Sequence, residues 1–106
     1  MNDVMMIYFT APSKEVAHML VEGLLKERLI GCATTMPSSS TYWWQGKITH
    51  SEEIVVFAKT TVDVVDEAQM FIEENHPYDV PCSLIIPAEA SSSYAQWLLG
   101  EVAHYG

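Results

Sequence analysis

The sequence predicts an α+β protein. Three observations lead there. Apolar runs of strand length and segments of helical period follow one another in the order β-α-β-β-α-β. Tyr42-Trp43-Trp44 runs into Gln45-Gly46, an aromatic segment meeting a tight turn, which is how a hairpin reads. A last stripe, Tyr94, Trp97, Leu98, Val102 and Tyr105, adds a terminal helix.

The elements follow in order. Val4-Met5-Met6-Ile7-Tyr8-Phe9 is a short apolar run closed by Thr10-Ala11-Pro12, a buried strand. Ser13 caps a helix over about 13–29, whose core face is Val16, Ala17, Leu20, Val21, Leu24 and Leu25. Lys26 and Arg28 suit its last turn, and Gly31 its stop. Cys32-Ala33-Thr34-Thr35-Met36 is the second strand, ended by Pro37. Ser38-Ser39-Ser40 has no period, and Thr41-Tyr42-Trp43-Trp44 is strongly β-prone. Lys47-Ile48-Thr49 starts the return, and Glu52–Thr60 is the strongest strand signal in the chain.

Thr61 reads as the cap of the next helix, with Asp63 and Asp66 near its positive end and Val64, Val65, Ala68, Phe71 and Ile72 facing the core. Pro77 stops it, because the residue before a proline avoids helical angles. Tyr78-Asp79-Val80-Pro81 is a turn, and Cys82-Ser83-Leu84-Ile85-Ile86 is the last strand, ended by Pro87. Ser93-Tyr94-Ala95-Gln96 has capping-box spacing. The order is that of the split βαβ, ferredoxin-like pattern: an antiparallel sheet with an extended aromatic hairpin and an added C-terminal helix. Right-handed crossovers place both core helices on one face of the sheet.

Composition bounds the function. The 106 residues form one domain spanning 1–106, and 49% hydrophobic against 18% charged residues exclude disorder. Five Lys+Arg against 14 Asp+Glu give a net charge of −9. That leaves no basic face for nucleic acid and no basic run for an anionic membrane. The start of the chain has no leader pattern, and Cys32 and Cys82, 50 residues apart with no CxxC, suit a reducing cytoplasm. No GxSxG and no phosphate-cradling glycine loop is present, so nothing signals an enzyme.

The strand pattern predicts self-association. A strand with one wet face alternates apolar and polar residues. Val4–Phe9 and Ile54–Ala58 are apolar throughout. Helices cover one face only, so the other face packs against further copies of the chain. Tyr42 and Trp44 point one way along the hairpin and Trp43 the other. These three aromatics are the candidate interface anchors. The alternative is that they fold back beneath the terminal helix.

Four stretches resemble a known family. They are Leu25–Ala33, Tyr42-Trp43-Trp44-Gln45-Gly46-Lys47-Ile48, Ala58-Lys59-Thr60 and His76-Pro77-Tyr78-Asp79-Val80-Pro81. In this order they are similar to the CutA divalent-cation-tolerance proteins, over nearly the whole chain. The resemblance implies a PII-like homotrimer with edge strands paired between subunits. It also implies tolerance of copper and other divalent metals, with copper(II) binding proposed for some members and no organic cofactor or established reaction. This chain departs from the copper-binding pattern. It has Phe9 and Asn75 where those members have cysteine and histidine, Gln45 for Glu, and Cys82 where Glu is common.

His76 is the metal candidate, with Asp79 three residues on. An imidazole beside a carboxylate suits a borderline divalent ion. The competing reading has His76 finishing the helix by meeting its last carbonyls. Lys59, at a strand end, either binds a small anionic molecule in a cleft between subunits or pairs with Glu52, Glu53 or Glu89. Lys59, Tyr78, Trp44 and Glu89 are the candidate cleft residues. Cys32 and Cys82 start opposite edge strands in a 4-1-3-2 sheet, about 14 Å apart at three strand spacings. A disulfide needs α-carbons within about 7 Å, which argues against a bridge within one chain; the thiols read as soft ligands or redox groups, or as small buried hydrophobes. His18, His50 and His104 read as surface residues. The expectation is therefore a non-enzymatic, homotrimeric divalent-cation-binding protein. The alternatives are a PII-like sensor of an anionic molecule and a scaffold for partner assembly.

Overall fold

The structure, a computed structural model, describes residues 4–102. Tyr105 and His104 lie outside the described residues. The order is β1 (Val4–Ala11), α1 (Lys14–Lys26), β2 (Cys32–Trp44), β3 (Lys47–Thr61), α2 (Val65–Asn75), β4 (Ser83–Ala88) and α3 (Ser92–Glu101). The strands form one sheet in the order β2-β3-β1-β4 with every pairing antiparallel. This is the predicted ferredoxin-like order.

Two strands outrun their predicted ends for one reason. β2 continues through Pro37 and the three serines into the aromatic segment, pairing Pro37 with Ile54. β4 continues through Pro87, opposite Met5. Both are edge strands. An edge has one unpaired side, so a proline whose nitrogen faces outward removes no ladder bond. The two separate arms predicted around residues 50–51 join into one strand, β3, whose 15 residues pair with β2 along most of their length.

The helix ends also differ. Gly31 does not stop α1. Arg28 does, at φ 59°, with Arg28 N–H donating to the Leu25 carbonyl and Leu29 N–H to the Leu24 carbonyl. That is a Schellman pair with arginine where glycine is usual. The glycine at 31 serves packing instead. A Cβ there would lie 2.4 Å from Leu98 Cδ1. Thr61 does not cap α2; it ends β3, buried, and α2 begins at Val65 with Val64 at its N-cap and no side-chain cap. Ser91, two residues before the predicted Ser93, caps α3 by accepting from Tyr94 N–H.

Cross-strand partners share a face. Ile7, Phe9, Ala11, Val56 and Ala58 meet Ala17, Leu20, Leu24, Ala68 and Ile72 of α1 and α2 in the core. The opposite face carries Met6, Tyr8, Phe57, Leu84 and Ile86. Tyr8 and Phe57 meet there edge to face at 5.5 Å. α3 covers only one end of this face, where Tyr94 reaches Cys32. Leu84 stays 53% exposed and Met36 45%.

The β2–β3 hairpin projects from the body, giving a molecule 45 × 23 × 21 Å. Gln45 and Gly46 both have positive φ, as a two-residue turn of the type that matches strand twist requires. The aromatics do not fold back under α3. Trp43 is 72% exposed, paired across the strands with Ile48.

Candidate functional site

The best-built polar cluster lies where β1, the middle of β3 and the turn after α2 meet. Asn75 ends α2 and Pro77 prevents its continuation, so the chain turns across the sheet edge. His76, 8% exposed, sits at this bend. Its Nε2 lies 2.7 Å from the Thr10 carbonyl, and its Nδ1 accepts from Tyr78 N–H at 3.1 Å. A carbonyl only accepts and a backbone amide only donates. The ring is therefore the neutral tautomer with its proton on Nε2, donated to Thr10.

Tyr78 stacks obliquely on this imidazole at 4.7 Å and donates its hydroxyl to Glu53 Oε2 at 2.8 Å. Glu53 is buried and lies on the face opposite the helices. Burial, with Glu53 alongside as hydrogen-bond partner and negative charge, pushes the Tyr78 phenol up to about 12. Burial and the same carboxylate push the Cys82 thiol up. A raised thiol is a poorer nucleophile and a poorer metal ligand at neutral pH.

The sequence-derived metal pair is not a site within one chain. Both His76 nitrogens are engaged by protein groups, so a metal would have to displace one of them. Asp79 is exposed on the turn. Among the described residues no three His, Cys, Asp or Glu side chains converge as a metal site requires. Within one chain the described residues do not gather a donor set that fits a divalent cation.

The cleft set is likewise spread out within one chain. Trp44 pairs with Lys47, twelve residues from Lys59 along β3, or about 40 Å at strand rise. Tyr78 is anchored at Glu53, about 20 Å from Lys59 by the same measure. Glu89 follows β4 at the Val4 end of the sheet. The structure does not give Lys59 the carboxylate partner the sequence suggested. Its Nζ donates to Thr34 Oγ1 at 2.7 Å, and Glu53 is taken by Tyr78. Among the described residues the one salt bridge is Arg28–Glu101, at 2.9 Å on the surface.

The two thiols are free, as the strand order required. Cys32 Sγ lies 2.9 Å from the Tyr94 hydroxyl, and burial and this contact push the Tyr94 phenol up to about 12. His18 and His50 are exposed, the latter beside Thr41 Oγ1 at 3.1 Å. Tyr42 bonds Ser51 at 2.7 Å and so stiffens the hairpin stem. Sequence reading missed the Thr10–His76 and Tyr78–Glu53 links. The turn motif was the available signal, but its partners lie 66 and 25 residues away.

Taken together, this is a small sheet-and-helix protein with one largely uncovered apolar face, a protruding aromatic hairpin and a strapped turn. The chain belongs to the CutA1 divalent ion tolerance protein family, which it matches over residues 5–101. It is 39% identical over 99 residues to the divalent-cation tolerance protein CutA of Pyrococcus horikoshii, covering 92% of this chain and 97% of that one. It superposes on the crystal structure of CutA1 from the same organism with a TM-score of 0.90 at 38% identity, covering 94% of this chain and 99% of the other. The periplasmic divalent cation tolerance protein CutA from Archaeoglobus fulgidus gives a TM-score of 0.91 at 32% identity, over 94% and 99%.

Proposed function

We propose that this protein acts in divalent-cation tolerance, the role in its relatives' names, as a non-enzymatic homotrimer in the cytoplasm. The observation that carries the assembly is the sheet face away from α1 and α2. Tyr8, Phe57, Leu84, Ile86 and Met36 form an apolar surface there that one chain covers only at the α3 end. Soluble chains rarely leave a contiguous patch of this kind bare. Unpaired edges on β2 and β4 and the projecting Tyr42, Trp43 and Trp44 supply further surface for copies to meet.

Any site for copper(II) or another divalent cation then draws donors from more than one copy, since the described residues of one chain gather too few. The two free thiols support a reducing compartment. Native mass spectrometry with and without copper(II) and zinc(II) tests assembly and metal together. A trimer with a saturable, whole-number metal load is the expected result. A monomer would overturn the assembly, and a diffuse ladder of adducts would overturn the metal site.

A second reading rests on Lys59. The residue is half-buried, its amine has a neutral hydroxyl for a partner among the described residues, and an ammonium without a carboxylate partner attracts an anion. A small anionic molecule held between copies meets that need, in the manner of a PII-like sensor. Lys59→Ala should then abolish binding of the anion and leave the trimer intact.

A further inference from the structure

We infer that the groove between the start of α1 and strand β2 binds a small monocarboxylate with an apolar body. The groove has a volume of about 280 Å³. Lys14 and His18 stand on its helical wall, four residues and so one turn apart. Thr35 faces them from β2, and Ala17, Ile54 and Pro37 supply an apolar lining. No hydrogen bond or ion pair within the protein engages the side chains of Lys14, His18 or Thr35 among the described residues.

The charge pattern sets the ligand's sign. The chain carries a net charge of −9 with only 5 Lys+Arg, yet no carboxylate lines this groove. A second surface groove, of about 210 Å³, has Glu67 and Glu74 in its lining. The first groove thus offers an ammonium, an imidazole and a hydroxyl around an apolar floor, inside an acidic protein. Two oxygens of one carboxylate match these donors, and the floor takes a short hydrophobic body.

The size and the overall charge exclude larger anions. Pockets for drug-sized ligands start at about 300 Å³, so the occupant is of benzoate scale. A polyanion such as phosphate would meet the field of the whole acidic surface with few cations to offset it. Most of the lining is on the helix side of the sheet, opposite the Tyr8–Phe57 face, and the groove meets the surface proposed for self-association only at Met36 on the β2 edge.

Titration of the 15N-labelled full chain with benzoate, followed by amide NMR, tests the site, with benzamide and inorganic phosphate as comparisons. Benzoate should shift the amides of residues 14–18 and 35–36 saturably. Binding should weaken at least fivefold in Lys14→Gln and in His18→Gln, both exposed positions. Benzamide, which keeps the ring and loses the charge, should leave those amides still. Non-saturating shifts, equal shifts with benzamide, tighter binding of phosphate, or unchanged affinity in both variants would each overturn the inference.

Discussion

Replacing Tyr78 with phenylalanine removes one oxygen and leaves the ring against His76. The oxygen is the donor to Glu53 Oε2, 2.8 Å away, and that carboxylate is 6% exposed. A hydrogen bond to a charged group is worth about 1.5–3 kcal/mol, and stranding a buried acceptor keeps the loss in that range. Tyr78 is itself part-exposed, so water recovers some of the loss, and about 1.5–2 kcal/mol is expected. For a domain of this size that is a fall in Tm of roughly 6–8 °C. The assay is thermal unfolding at one fixed protein concentration, because association shifts apparent stability by mass action. A double-mutant cycle with Glu53→Gln should return a coupling energy of about 1 kcal/mol or more. A coupling below about 0.5 kcal/mol, within the additivity expected of independent sites, would refute the reasoning.

The same bond gives an alkaline signature. The folded Tyr78 phenol is raised from 10.0 to about 12. A raised acid keeps its proton longer in the folded state than in the unfolded one. Its stabilisation is therefore complete below pH 10 and is lost as pH rises towards 12. Tyr94 is raised similarly, by burial and by Cys32. The native chain should lose stability across this window, and Tyr78→Phe should lose less of it. Parallel pH profiles for the two proteins would contradict the Tyr78–Glu53 link.

Three further outcomes are expected. Leu84→Glu with Ile86→Lys places charge on the exposed part of the bare face; sedimentation velocity should show a monomer with an unchanged far-UV spectrum, and retained assembly would exclude this face. Gly23→Ala gains about 1 kcal/mol of helix propensity, but its Cβ would lie 2.5 Å from Phe71 Cζ and overpacking costs about 1–3 kcal/mol; denaturant unfolding should show net destabilisation, and a stabilised variant would mean the Phe71 ring yields freely. Phe9→Ala empties a fully buried position between sheet and helices; a loss of about 3–5 kcal/mol is expected by the same assay, and a loss below about 1 kcal/mol would show that the core refills.

The legible part of the fold was the part written in short-range pattern. The apolar run at Val4–Phe9, the helical stripe of α1 and the turn at Gln45-Gly46 each sit within a few residues of their cause. Boundaries were less legible where they depended on neighbours. Nothing local tells Pro37 or Pro87 that it lies on an edge strand; strand order does. Arg28 ends α1 in the left-handed region, three residues before the glycine that offered the obvious stop, and Gly31 packs against Leu98 instead. Thr61 looked like a cap and became the last residue of a strand, since its backbone continues the pairing with Val4.

The candidate site divides along the same line. Residue types and their order in the His76–Pro81 turn were set by the sequence, and so was the excess of apolar residues on β1 and β3 that left a face to cover. The tertiary structure decided which groups those side chains meet. It brought the Thr10 carbonyl to His76 and Glu53 to Tyr78 across 66 and 25 residues of chain, and in doing so it occupied the nitrogens and hydroxyl a ligand would have used. It also kept Lys59 and Trp44 far apart, at opposite ends of the long β2–β3 hairpin. Periodicity fixes which face a residue takes, but hydrogen-bond partners depend on which strands become neighbours, and that is settled only when the sheet closes on its core.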